Sequence, residues 1–275
     1  KPLYDLAINK DYIPISKLIE TKHFNQEYIE EHFFNLFFSS YQENFKNENY
    51  YLSSGQKNLI EFSKSTNDFI LVAPTSYGKS EIIINKVHSN LDKKVCIIVP
   101  SKALLAQTKK RLLNDLSVNG LTRIITHPEM YKGNEESFVS VLTQERLLRL
   151  LQKNQTLKFD LVLIDEAHNL FGEKPFGDKA DSRALLLAQT IMILKKRNNN
   201  AILNFFSPFV YDAKNLEIEH LDYDLDFITT NEFIKTEKYL ICDLKGDQKL
   251  KIYNQFSNNF IETNKVYQDE IQLIQ

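Results

Sequence analysis

Residues 73–80 read Ala-Pro-Thr-Ser-Tyr-Gly-Lys-Ser, between an apolar run and an amphipathic one. Those residue types at that spacing suit the cradling of phosphate groups. Backbone N–H groups of a turn and of the helix behind it converge on phosphate oxygens, where the helix dipole favours negative charge. Pro74, Thr75, Ser76, Tyr77 and Gly78 form the turn, and Gly78 lets the backbone approach without a Cβ. Lys79 is placed to reach the β- and γ-phosphates of a nucleoside triphosphate, and the Ser80 hydroxyl to hold Mg²⁺. The general pattern opens on Gly, whereas Ala73 stands there. With only seven glycines in the chain, the Gly-Lys-Ser match in a strand-turn-helix setting is not an accident of composition.

A second constellation lies at Leu161-Val-Leu-Ile164 followed by Asp165-Glu166-Ala167-His168. An apolar strand ending in two acids delivers carboxylates to the carboxyl edge of a sheet, the edge at which ligands bind in open α/β folds. With its strand set beside the phosphate-loop strand, Asp165 is expected to hold the Mg²⁺ shell. Glu166 is the natural general base, or orienter, for an attacking water. His168 is either a relay of γ-phosphate state or a plain structural residue.

Asp165-Glu166-Ala167-His168 spells the box that names the DEAD/DEAH helicases. Taken with the phosphate loop, the chain resembles the first RecA-like motor domain of a superfamily 2 helicase, over residues 50 to 210. The resemblance implies ATP and Mg²⁺ as ligands. Gly55-Gln56-Lys57-Asn58 is similar to the family's glutamine motif, in which one planar amide donates to and accepts from the adenine edge. No Asn-Lys-x-Asp guanine-reading pattern occurs, so ATP is favoured over GTP.

Val99-Pro100-Ser101-Lys102 and Leu142-Thr143-Gln144-Glu145-Arg146 are similar to two family segments at strand-to-helix junctions. Helix N-termini there can hold the backbone of a nucleic-acid strand. This implies Pro100, Ser101, Lys102, Thr143, Gln144 and Arg146 as contacts to a single strand of DNA or RNA. The bland alternative is that Ser101 and Thr143 are plain helix caps. Gln144 stands where the family has Pro. After Ala201–Phe206 the family has Ser-Ala-Thr, and this chain has Ser207-Pro208-Phe209, which bears on the coupling of ATP state to strand grip. The resemblance further implies a second RecA-like domain carrying an arginine finger, and no second strand-helix series follows residue 210 to supply one. The chain also resembles helicases of bacterial anti-phage defence systems, which implies a nuclease or other effector subunit as a partner.

The elements that must position these residues follow from apolar periodicity. Phe69–Ala73, Val95–Val99, Leu121–Thr126, Phe138–Leu142, Leu161–Ile164 and Ala201–Phe206 are apolar-rich runs without strict alternation, hence strands buried on both faces of a parallel sheet. Lys79–Ser89, Lys102–Leu116, Glu145–Leu151 and Ser182–Lys196 are amphipathic helices between them. The fold class is α/β, a three-layer parallel sheet flanked by helices in the P-loop NTPase manner, with a helical N-terminal extension. Residues 1–48 form that extension, 49–230 the ATP-binding domain, and 231–275 a hairpin and exit linker. Phe34, Phe37, Phe38, Tyr41 and Phe45 share one helix face, which is expected to pack on a neighbour rather than stack on bases.

Composition is that of a globular protein, 43% hydrophobic and 25% charged, and no apolar run is long enough to cross a bilayer. The chain opens at Lys1 without a leader-like segment, and the expectation is a cytoplasmic fragment with no membrane partner. Two cysteines, Cys96 and Cys242, exclude a cysteine-based zinc cluster and suit apolar filling. A net charge of −2 offers no broad basic field for duplex DNA. Strand tracking by helix N-termini and hydroxyls needs little formal charge, so a nucleic-acid motor stands. Its rivals are an ATP-gated clamp that does not translocate and a metabolic P-loop kinase. The kinase leaves Gln56, Ser101 and Thr143 unexplained.

Overall fold

The computed structural model describes residues 2–24, 33–47, 50–75, 77–116, 124–171, 182–208, 225–230, 239–242, 248–254 and 259–266. Ser76, Phe209 and residues 121–123, all singled out above, lie outside them, as do residues 243–247 within the expected hairpin. Two compact units divide the chain, Lys1–Glu232 and Phe233–Gln275.

In the first unit, strands β3 (Phe69–Val72), β4 (Lys94–Ile98), β5 (Ile124–Ile125), β6 (Phe138–Leu142), β7 (Leu161–Ile164), β8 (Ile202–Ser207) and β9 (Asp226–Thr229) form one sheet. Its order is β5-β6-β4-β7-β8-β3-β9, and every pairing is parallel. The continuous apolar runs are the reason. Phe69–Val72 and Leu161–Ile164 are buried at every residue, which needs a layer of helices on each face. Leu71, Ile97 and Leu163 pack on one side with Ile82, Ile83 and Leu112 from α5 (Lys79–His88) and α6 (Lys102–Leu116). Ile70, Ile98 and Ile164 pack on the other with Leu147, Leu150, Leu187 and Ile191 from α7 (Gln144–Lys153) and α8 (Ser182–Arg197). Each such side chain taken from water contributes about 1.5–3 kcal/mol.

Strand β7 does not lie beside β3 as the sequence reading expected, because β8 pairs with both and separates them. Strand β9 was not anticipated. It sits at the sheet edge, is largely exposed, and lacks the apolar run that marks the others.

The same unit holds α1 (Pro2–Asn9), α2 (Ile13–His23) and α3 (Phe33–Glu43), then a short hairpin of β1 (Lys46–Asn47) and β2 (Tyr50–Tyr51), and α4 (Ser54–Ser65). Helices α1 to α3 are joined by polar contacts. Tyr4 Oη donates to Glu20 Oε1 at 2.6 Å, and Gln42 Nε2 donates to Ser16 Oγ at 2.8 Å. The aromatic face of α3 meets expectation only in part, for Phe45 is buried and Phe38 half-buried. Phe34 and Phe37 are 76% and 58% exposed, so among the described residues no neighbour covers them. Their rings instead touch along the helix, as Phe33 stacks on Phe37 with centroids 6.4 Å apart.

The second unit is a three-stranded antiparallel sheet of β10 (Tyr239–Cys242), β11 (Lys249–Asn254) and β12 (Asn259–Val266). The last strand falls in the polar stretch assigned above to a linker. Cys96 is buried in the first unit and Cys242 partly exposed in the second, both as free thiols. No helix among the described residues is long and apolar enough to cross a membrane.

Candidate nucleotide site and its surroundings

The phosphate loop turns out of the carboxyl end of β3. Gly78 takes φ 103° and ψ 12°, the left-handed region that favours glycine, and is the N-cap of α5. Among the described residues no side chain caps that helix, and its N-terminal dipole end faces the loop. Tyr77 anchors the turn, with its ring 2% exposed and its hydroxyl 3.4 Å from both Ser53 Oγ and Thr230 Oγ1. Its side chain therefore points into the protein, and only its backbone faces the loop. Pro74 is half-buried, while Thr75 and Ser80 are exposed.

Lys79 is 8% exposed, and its ammonium donates to the carbonyls of Ala73 at 2.6 Å and Pro74 at 3.1 Å. Burial pulls its pKa below the ordinary lysine value, and the charges of Glu166 and Asp165 oppose that pull. The lysine at the start of α5 thus feels the acids that follow β7. The Ala73 N–H donates to Ser207 O at 3.1 Å, so the end of β8 is joined directly to the start of the loop. Ser207 is fully buried, and Pro208 follows it half-buried.

Asp165 and Glu166 stand where β7 ends. Burial first, and the neighbouring Glu166 charge second, push the Asp165 carboxyl up to about 6. Its Oδ1 accepts the Glu166 N–H at 3.0 Å. Glu166 holds φ 55°, a conformation that costs a non-glycine residue about 1–3 kcal/mol. Asn169 secures the bend, donating to Glu166 O through its backbone at 3.0 Å and its amide at 2.7 Å. Sequence reasoning missed this clamp, whose signal is an amide three residues beyond the acid. His168 Nδ1 lies 3.2 Å from Glu166 Oε2; burial and then the Lys79 charge lower its pKa, while Asp165 opposes them.

Gln56 lies on the other flank of the loop. It closes a capping box with Ser53, whose N–H donates to Gln56 Oε1 at 3.0 Å while Ser53 Oγ accepts the Gln56 N–H at 3.1 Å. Its Nε2 also donates to Tyr77 O at 3.1 Å. Gln56 and Gly78 line a cavity of about 280 Å³, walled further by Tyr50, Leu52, Glu81 and Arg111. Arg111 Nη2 and Glu81 Oε2 pair at 2.6 Å. Thirty positions separate these two residues, so no local pattern reveals them.

At the β4–α6 junction the Leu104 N–H donates to Ser101 Oγ at 3.2 Å, and Lys102 is exposed. At the β6–α7 junction Thr143 and Gln144 are buried, at 5% and 3% exposure, and the Thr143 hydroxyl makes no cap bond. Arg146 donates to Thr126 O at 2.8 Å. Pro100, Ser101, Lys102, Glu145 and the partly exposed Arg146 are therefore the residues of these segments that reach solvent, whereas Thr143 and Gln144 do not. Arg183, not foreseen, bridges the two junctions by donating to Pro100 O and pairing with Glu145 Oε1 at 3.2 Å.

A helix-flanked parallel sheet, with a phosphate loop on one strand and paired acids two strands away, defines a P-loop nucleoside triphosphatase. The sequence matches the DEAD/DEAH box helicase family over residues 53–203, more than half its length, and the chain belongs to that family. It is thus a helicase-family domain, of a class that hydrolyses ATP and binds nucleic acid. It is 28% identical over 226 residues to anti-bacteriophage protein B of Escherichia coli K12, across 80% of this chain and 30% of that protein. The chain therefore spans under a third of that relative's length. Among solved structures it resembles a hypothetical ATP-dependent RNA helicase from Sulfolobus tokodaii. The TM-score is 0.50 at 19% identity, over 75% of this chain and 57% of that one, which supports the RecA-like fold. The UvsW helicase from bacteriophage T4 gives a TM-score of 0.47 at 18% identity, over 70% and 66% of the two chains.

Proposed function

We propose that this chain binds ATP between Lys79 and the Asp165–Glu166 pair and hydrolyses it to drive a grip on a single nucleic-acid strand. The observation that carries the reading is the buried Lys79 ammonium, folded onto loop carbonyls within the field of both acids. Entering phosphates would replace those carbonyls as its partners, with Pro74, Thr75, Ser76, Tyr77 and Gly78 supplying the turn.

The residues present also fit Mg²⁺. Two adjacent carboxylates, one raised to about 6 by burial and by its neighbour, favour a divalent cation between them. Asp165 and the exposed Ser80 hydroxyl would hold it, and when bound it would neutralise β- and γ-phosphate oxygens. Glu166, fixed in its bend by Asn169, orients the attacking water and accepts its proton. His168 contacts Glu166 and reports the state of the γ-phosphate. The cavity beside Gln56 and Gly78 takes the base. The Gln56 amide retains a second N–H and a second acceptor lone pair for the adenine edge.

Ser101, Lys102 and Arg146 support contact with a strand backbone, alongside the α6 and α7 N-termini, Pro100, Thr143 and Gln144. A second motor domain, with its arginine finger, belongs to the longer protein, reached through residues 231–275. A defensive role is supported by the relative's name, and the family resemblance adds a nuclease or other effector subunit as its partner. An ATP-gated clamp is the second reading. Ser207 is buried against the loop and followed by Pro208, without the hydroxyl the family has two residues later.

The deciding experiment measures ATP turnover and duplex separation by the full-length protein with single- and double-stranded DNA and RNA. A motor is stimulated by one polymer and separates strands. A clamp binds the polymer with ATP but separates nothing; no turnover under any condition refutes the motor, and no ATP-dependent binding of either polymer refutes the clamp.

A further inference from the structure

We infer that the N-terminal helices set the affinity of the base cavity, through a tether between Glu43 of α3 and Tyr51 of the β2 strand. The inference rests on the reading of the cavity beside Gln56 as the site of the ATP base. Hairpin strand β2 is only Tyr50 and Tyr51, and successive side chains of a strand point to opposite faces. Tyr50 lines the cavity. Its phenol accepts a hydrogen bond from Asn47 Nδ2 at 2.7 Å and bonds Glu81, which in turn pairs with Arg111 on the cavity wall. Tyr51 faces the helices.

The Tyr51 phenol donates to Glu43 Oε1 at 2.5 Å, and Lys17 of α2 sits 5.5 Å from the centre of its ring. Lys17 also pairs with Glu43 at 3.4 Å and with the buried Glu20 at 3.2 Å, which holds the Tyr4 phenol of α1. All three N-terminal helices therefore converge on one phenol whose neighbour in the chain is a wall of the cavity. The titration behaviour agrees: the Tyr51 bond is the first cause holding Glu43 below the usual carboxylate range, and burial followed by Glu43 pushes Tyr51 up to about 12. The Leu52 N–H donates to Phe45 O at 2.8 Å, which ties the far end of the hairpin to the end of α3 and leaves β2 little freedom of its own. Displacing the helices moves Tyr50, whereas the phosphate loop, anchored by Tyr77 and Ser207, stays in place.

Tyr51 and Glu43 are positioning residues, and the test separates base from phosphate binding. Equilibrium affinities of full-length wild type, Tyr51→Phe and Glu43→Gln are measured with Mg²⁺ for ATP and for inorganic tripolyphosphate, which has no base. The expected result is about a three- to tenfold loss of ATP affinity in each variant, the net range of a typical intramolecular hydrogen bond. Tripolyphosphate affinity stays at the wild-type value, and the double variant loses no more than either single one. ATP affinity unchanged in Tyr51→Phe overturns the tether while leaving the nucleotide site intact. Equal losses for both ligands overturn it as well, since they mark general damage. Wild type that binds neither ligand removes the nucleotide reading on which the tether stands.

Discussion

Asp165→Asn should stabilise the nucleotide-free protein while abolishing its turnover. The carboxyl sits at about 6 instead of 3.8 because burial and Glu166 penalise its charged form. A shift of that size corresponds to about 3 kcal/mol of differential interaction. For a raised carboxylate the folded state binds more protons than the unfolded one between the two values. The cost is therefore absent below about pH 4 and grows as pH rises through 4 to 6. It is complete above that window. Asn is isosteric, carries no charge, and its Oδ1 can still accept the Glu166 N–H. Urea unfolding in chelator-containing buffer at pH 8 should show the variant about 3 kcal/mol more stable, a midpoint shift of about 1 M. At pH 5 the gain should be about half as large. A variant no more stable at pH 8, or a gain identical at both pH values, would refute the claim that this carboxylate is held charged at a cost for want of a cation.

Glu166→Gln should keep ATP bound within a fewfold of wild type and lower turnover by at least about 10²-fold, as loss of a proton acceptor does. Pre-steady-state turnover measured beside equilibrium binding checks both halves, and loss of binding contradicts the role given. Gln56→Ala should relax the preference among nucleoside triphosphates and, by deleting half of a capping box, destabilise the fold by about 1 kcal/mol. Competition among the four triphosphates and a thermal melt read the two effects separately.

Much of this architecture is written locally. Phe69–Val72 and Leu161–Ile164 declare a doubly covered sheet because every residue is apolar, and each run ends on its chemistry. Strand order is not local. β8 enters between β3 and β7, its pairing with β3 spans more than a hundred residues, and no composition rule announces that insertion. The α3 stripe misled for a different reason. Periodicity shows that Phe34 and Phe37 share a face, but not whether anything covers it. Thr143 and Gln144 are polar residues at a helix start, a pattern that belongs equally to a ligand contact and to a buried junction, and only packing separates the two. The Glu81–Arg111 pair and the Arg183 bridge join elements distant in sequence, so their roles exist only once the sheet has formed.

The central claim is that a triphosphate with its cation sits between the Lys79 loop and the acids ending β7. Calorimetric titration of Mg²⁺-bound ATP into wild type and Lys79→Ala tests it most directly. The account predicts saturable one-to-one binding by wild type that is weakened at least about tenfold in the variant. Equal affinity in the two proteins would contradict it.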